Sequence, residues 1–185
     1  IHVIHHGYTQ GIAEPKTSFD PIKQYGSFVL YVGARKNYKN FAGALMGFYG
    51  SMLWKEGVKL LCTGAKFDES ELSEISKLHL SDYVQAVGKI DEPRLLALYE
   101  NAYCLLYTSK REGFGLPLLE AMSKGCPVIA CNTSCIPEIV GESALLFSPN
   151  NMEEISLSLQ RLQDTTLRNQ LIQSGGERVK SFSLH

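Results

Sequence analysis

No stretch of this sequence approaches the ~20 consecutive apolar residues that a membrane-spanning helix needs. No charge of one sign dominates either: 18 Lys and Arg stand against 19 Asp and Glu, for a net charge of -1. That removes the bulk field by which proteins hold DNA, RNA or an anionic membrane surface. Cys-x-x-Cys is absent. The five cysteines, Cys62, Cys104, Cys126, Cys131 and Cys135, are odd in number and have no His at ligand spacing. This pattern argues against a zinc site and for small buried thiols in a reducing compartment. The sequence also lacks the Gly-x4-Gly-Lys-Ser/Thr of a P-loop, and no Gly-x-Gly-x-x-Gly follows its first apolar run. Neither phosphate-binding signature of those nucleotide folds applies. No Asp-x-Asp occurs, so no paired carboxylates offer to hold a diphosphate through a divalent metal.

What is present is a chain of 185 residues, 44% hydrophobic and 20% charged. That is enough for one domain with a sizeable core and too little for two full ones. No secretory leader is visible. The chain opens on Ile1, and Arg178–His185 stops without a cap, so we read a segment of a longer protein.

The organisation is an alternation. Residues 8–27 are polar and punctuated by Gly and Pro, which is linker composition, and residues 1–24 are expected to be linker or the end of a preceding domain. From residue 28, short apolar runs rich in β-formers alternate with helical patterns. The strands are predicted at 28–32, 58–62, 83–87, 103–107, 127–130 and 144–147. Helices are predicted over 40–54, 70–79, from Asp91 onward, 117–124, 152–162 and 166–180. Phe41, Leu45, Phe48 and Met52 form the inward stripe of the first, and Leu72, Ile75 and Leu78 that of the second. Asp68 and Glu71 have capping-box spacing. This rhythm predicts an α/β fold, a doubly wound parallel sheet with helices on both faces. Residues 25–164 would form that domain, and 165–185 a C-terminal helix. Such sheets take ligands at the carboxyl ends of their strands. That rule points to Gly33–Lys39, Gly64, Gly88–Ile90, Ser109–Leu116 and Cys131–Glu138.

The most informative of these is Glu112-Gly-Phe-Gly-Leu-Pro-Leu-Leu-Glu120. Gly113 and Gly115 let the backbone approach a ligand closely. The helix start behind them carries partial positive charge and suits a phosphate. Glu112 in the loop and Glu120 one turn into the helix would both accept from hydroxyls of a polar ligand. On the other side, Arg35 and Lys39 follow the first strand as two cations. Together with the glycine loop they predict a two-sided phosphate clamp.

With those residues in view, Gly33…Arg35…Lys39, Val87-Gly88, Ser109…Glu112-Gly113-Phe114-Gly115-Leu116-Pro117…Glu120-Ala121-Met122…Gly125-Cys126-Pro127 and Pro137-Glu138 resemble a retaining glycosyltransferase of family 4. The likeness is to its nucleotide-sugar-binding half, Rossmann-like, in the GT-B fold. It covers residues 25–150. The resemblance implies that Arg35 and Lys39 bind the diphosphate of a nucleotide sugar, although Ala34 separates Gly33 from Arg35 where many members have Gly-Arg. It implies that Glu112, with the backbone of Gly113, Phe114, Gly115 and Leu116, holds the donor hexose, and that Gly33, Gly88 and Ser109 are further substrate-binding positions. Glu120 would accept from the ribose hydroxyls, and Gly64, Lys89 and Ile90 would line the base pocket. Ser134–Glu138 would be a helper turn. Catalysis would fall to Glu112, Arg35 and Lys39.

The family needs neither metal nor cofactor. Its donor here would be GDP-mannose, because Tyr38-Lys39-Asn40-Phe41 resembles mannosyltransferase relatives, or else UDP-glucose. His5-His6-Gly7 resembles the end of a preceding acceptor domain. That missing half would bring the glycan or lipid-linked acceptor, any catalytic His and any peripheral membrane contact. The implied setting is cytoplasmic polysaccharide synthesis, at the membrane's cytoplasmic face where that half touches it. A non-catalytic sugar-nucleotide-binding module, or a sugar-phosphate synthase or phosphorylase on the same fold, are the alternative readings.

Overall fold

The computed structural model describes residues 18–35 and 37–182. The expectation on His5-His6-Gly7 lies outside them. Among the described residues six strands form one sheet: β1 (Phe28–Tyr31), β2 (Lys59–Thr63), β3 (Val84–Gly88), β4 (Cys104–Tyr107), β5 (Val128–Cys131) and β6 (Leu145–Phe147). All pairings are parallel, in the order β3-β2-β1-β4-β5-β6. Strands β1, β4 and β5 are buried at every position. That is why they read as continuous apolar runs rather than alternating ones.

Among the described residues eight α-helices surround the sheet: α1 (Pro21–Tyr25), α2 (Phe41–Ser51), α3 (Glu69–Lys77), α4 (Glu92–Asn101), α5 (Leu116–Ser123), α6 (Ile136–Val140), α7 (Met152–Arg161) and α8 (Thr165–Lys180). Their starts follow local chemistry. Asp68 and Glu71 form the reciprocal capping box of α3. Asp91, Asn151 and Asp164 cap α4, α7 and α8 by accepting from backbone N–H groups of the first turn. Helix α2 ends three residues before the predicted Trp54, because Met52 takes a left-handed conformation and Leu53–Glu56 tighten into a 3-10 turn.

Several expectations change. Pro21–Tyr25, inside the expected linker, is a helix capped by Asp20, and Tyr25 enters the core. The expected turn at Ser134–Glu138 opens the short helix α6. Met52 and Leu72 are exposed, whereas Phe41, Leu45, Phe48 and Ile75 are buried. Helix α8 is no appendage: Gly175 packs on Met122 of α5, and Val179 and Phe182 belong to the core.

Candidate functional site

The sheet reverses direction of growth between β1 and β4, which are neighbours although two strands (β2, β3) and three α-helices (α2, α3, α4) separate them in the chain. After β1 the chain leaves toward β2, and after β4 toward β5. The loops at their carboxyl ends therefore diverge and leave a crevice, the usual ligand position in such sheets. The loop after β1 carries Gly33, Arg35 and Lys39, and the loop after β4 carries Ser109 and Glu112 to Gly115.

Backbone and hydroxyl contacts stitch the two loops together. Thr108 Oγ1 donates to the carbonyls of Lys39 (2.8 Å) and Asn40 (3.0 Å). Lys110 N–H donates to Tyr38 O at 2.8 Å, and within the second loop Ser109 Oγ donates to Arg111 O at 3.1 Å. This sets the 3-10 turn Asn37–Lys39 directly over the end of β4. Lys39 Nζ then lies 2.5 Å from Glu112 Oε1. Both side chains are mostly buried, 16% and 12% exposed, so water screens the pair only partly. Burial pushes the Glu112 carboxyl up. Hydrogen bonds from Lys39, Ser109 and Tyr107, with the Lys39 charge, outweigh it and hold the group below its ordinary value. Ser134 fixes the Glu112 backbone from the other side: its Oγ donates to Glu112 O at 2.8 Å. Ser134 itself sits at φ 57°.

Beyond Glu112 the glycines play different parts. Gly115 caps α5 at φ 85°, and a Cβ there would come within 2.9 Å of Leu118 Cδ1, so the fold itself requires glycine. A Cβ at Gly113 would meet no protein atom within 4 Å, so packing does not require glycine there. The ring of Phe114 turns onto Phe182, with centroids 6.3 Å apart, and only its backbone belongs with the loop. Leu116, the first residue of α5, is exposed.

Glu120 points from α5 toward α4, where Tyr99 donates to its Oε2 at 3.0 Å. Burial raises this carboxyl above its ordinary value; the Tyr99 hydrogen bond opposes the shift, and the charge of Glu92 adds to it. On the β2–β3 side, Gly64 N–H donates to Gly88 O at 3.0 Å, which joins the ends of those strands. Lys89 is exposed just past them and Ile90 is half-buried.

The expected two-cation clamp needs correction. Lys39 reaches the glycine loop, but Arg35 is turned to the segment after β2. Its Nε pairs with Glu71 Oε1 at 2.8 Å, Nη1 donates to Thr63 O at 3.2 Å, and Nη2 donates to Ala65 O and Lys66 O at 2.7 and 3.0 Å. The guanidinium also lies against the rings of Phe41 and Phe67, 5.7 and 4.8 Å from their centroids. Every nitrogen is engaged within the protein, and the side chain is 6% exposed. A planar fork with five donors satisfies several converging carbonyls at once, which favours this site over a free ligand-facing position. Sequence spacing marked Glu71 as a cap and gave no sign that the same carboxylate would receive Arg35. Thr108, Tyr107 and Tyr99 were equally invisible as site residues, since apolar runs and helical periodicity accounted for two of them.

Among the described residues no cluster of three His, Cys, Asp or Glu could hold a metal ion. No helix among them is long and apolar enough to cross a membrane.

A doubly wound sheet with a Gly-x-Gly helix start facing a cation at the switch point is an open α/β domain of the class that takes ligands at the carboxyl ends of its strands. Residues 15–178 match the model of the glycosyl transferases group 1 family, and the chain belongs to that family. It is 32% identical over 160 residues to O-antigen chain mannosyltransferase B of Escherichia coli, covering 84% of this chain and 42% of that protein. It is 34% identical over 114 residues to the MMP alpha-(1->4)-mannosyltransferase of Mycolicibacterium hassiacum, covering 59% of this chain and 28% of that protein. Its fold superposes with TM-score 0.77 on the C-terminal domain of a glycosyl transferase group 1 family protein from Francisella tularensis. That match has 22% identity and covers 86% of this chain and 88% of the other. The chain spans about two fifths of the length of the E. coli relative.

Proposed function

We propose that this chain is the donor-binding half of a retaining, metal-independent glycosyltransferase. Its donor is a nucleoside-diphosphate hexose, GDP-mannose before UDP-glucose. Its acceptor is a sugar or lipid-linked glycan brought by a preceding domain. The names of the E. coli and Mycolicibacterium relatives support mannose as the hexose.

The observation that carries the reading is the meeting of Lys39, Glu112 and the Gly113–Gly115 turn at the β1/β4 switch point. The diphosphate lies against Lys39 and the first amides of α5. Glu112 and the backbone from Gly113 to Leu116 hold the hexose. Glu120 accepts from the ribose, and Gly64, Gly88, Lys89 and Ile90 border the base. The open side of Gly113 supports this placement: a methyl group there would meet only what the site holds.

The chemistry follows from charge. When the bond between the anomeric carbon and the phosphate oxygen breaks, its electron pair stays on the diphosphate. Lys39 and the helix-start amides are fixed before that charge appears, so they stabilise it without reorganising. The acceptor oxygen attacks the same face of the oxocarbenium-like sugar and passes its proton to the leaving phosphate oxygen, which retains configuration. Arg35 takes no phosphate in this scheme; it braces the loop that carries Lys39.

Calorimetric titration of the chain with GDP, UDP, ADP and the corresponding nucleotide sugars tests the reading. One nucleoside diphosphate should bind, and Lys39→Ala should weaken it at least tenfold. Absence of binding by all of them, in a chain that melts cooperatively, would refute the donor role.

A further inference from the structure

We propose that Tyr99 is a positioning residue for the nucleotide: its hydroxyl, buried between α4 and α5, fixes the Glu120 carboxylate in the orientation that receives the ribose. The inference rests on the proposed ribose-binding role of Glu120.

Tyr99 is among the largest fully buried side chains, at 0% exposure. In such surroundings phenylalanine would fill nearly the same volume without placing a polar group in the core. A buried O–H needs a partner. Here that partner is Glu120 Oε2, 3.0 Å away and 21 residues further along the chain. The contact spans two helices that pack on each other, so neither helix alone sets it. Burial and the adjoining carboxylate raise the phenol well above its ordinary value, so it stays protonated and can only donate to the carboxylate.

The geometry has a directional consequence. Glu120 is on the second turn of α5, and an ionised carboxylate on a flexible two-carbon stem would sample several rotamers. A donor locked in the core ties Oε2 down and removes that freedom before any ligand arrives. A carboxylate offers about four acceptor sites, so one inward bond leaves capacity for ribose hydroxyls. Pre-orientation of this kind reduces the ordering cost of binding. The effect concerns hydroxyls specifically. It should therefore show as a preference for ribose over deoxyribose, which a general loosening of the fold would not change.

The test compares GDP with 2′-deoxy-GDP by calorimetry on the full chain, using UDP and 2′-deoxy-UDP if the uridine nucleotide binds more tightly. The wild type should prefer the ribonucleotide about tenfold, as expected for a hydrogen bond to a charged group. Glu120→Ala should abolish that preference. Tyr99→Phe should reduce it to threefold or less while the chain still melts cooperatively. Lys39→Ala should weaken both nucleotides equally and leave the ratio unchanged. If Tyr99→Phe keeps the wild-type ratio, or weakens both nucleotides alike, the positioning role is overturned even though the ribose role of Glu120 survives. If the wild type shows no preference, or Glu120→Ala does not change it, the reading of Glu120 fails and takes this inference with it. Tyr99→Met, read by the same ratio, serves if the Phe variant does not fold.

Discussion

The ammonium of Lys39 sits 2.5 Å from Glu112 Oε1, between residues 73 apart in sequence. With the Thr108 and Lys110 hydrogen bonds, this contact joins the loop after β1 to the loop after β4 beside the crevice at the switch point of the sheet. It also gives the site a resident counter-charge, so any anion taken by Lys39 would have to compete with Glu112.

Lys39→Met should leave Glu112 buried without its cation. We expect a stability loss of about 1–3 kcal/mol, below that of a fully buried pair because both side chains keep some exposure. The double variant Lys39→Met/Glu112→Gln should recover most of it but not nucleotide binding. Glu112 is held low in the folded state, so its pairing stabilises the protein above the ordinary carboxylate range and is lost as pH falls through the lowered value. Chemical denaturation at pH 7 and pH 4 measures this: the difference between wild type and Lys39→Met should shrink at the lower pH.

Arg35→Ala should behave differently. Its four hydrogen bonds and two ring contacts are internal. We expect a loss of about 2–4 kcal/mol in thermal or urea melts. Arg35→Lys should not restore it, because an ammonium cannot reproduce the fork. Nucleotide affinity of the folded Arg35→Lys protein should fall less than that of Lys39→Ala. A larger fall would return Arg35 to the phosphate.

The two glycines of the loop should separate packing from ligand approach. Gly115→Ala forces a side chain into a left-handed position and against Leu118, and should cost about 1–2 kcal/mol. Gly113→Ala should change stability by less than about 0.5 kcal/mol. It should nevertheless weaken nucleotide-sugar binding, as titration of both variants would reveal.

Glu120 is held above the ordinary carboxylate value, so its charged form costs folding energy at neutral pH and the cost fades as pH falls through the raised value. Glu120→Gln should therefore raise the melting temperature at pH 7, by about 1–3 °C, and the gain should vanish at acid pH. The same variant should lose nucleotide affinity. A lowered melting temperature at pH 7 would contradict the desolvation argument.

The order of elements was legible because buried parallel strands write themselves as short apolar runs, and because Asp68, Asp91 and Pro117 mark helix starts by local hydrogen-bonding and dihedral constraints. Each of the six strands lies within a residue or so of its predicted bounds. Pro21–Tyr25 escaped notice because a helix of five residues has too few turns to show a period.

Local chemistry in the chain thus determined the fold class, the glycine loop and the identity of the charged residues at the strand ends. Only the tertiary structure decided which of those charges face one another. Arg35 and Lys39 lie four residues apart and looked like one clamp. A guanidinium is satisfied by several converging carbonyls and an ammonium by a single close carboxylate, and the packing of β2 and α3 supplied the first while the end of β4 supplied the second. Tyr99 and Glu120 meet for the same reason: one lies on α4 and the other on α5, and which group the hydroxyl reaches depends on how these two helices pack against each other.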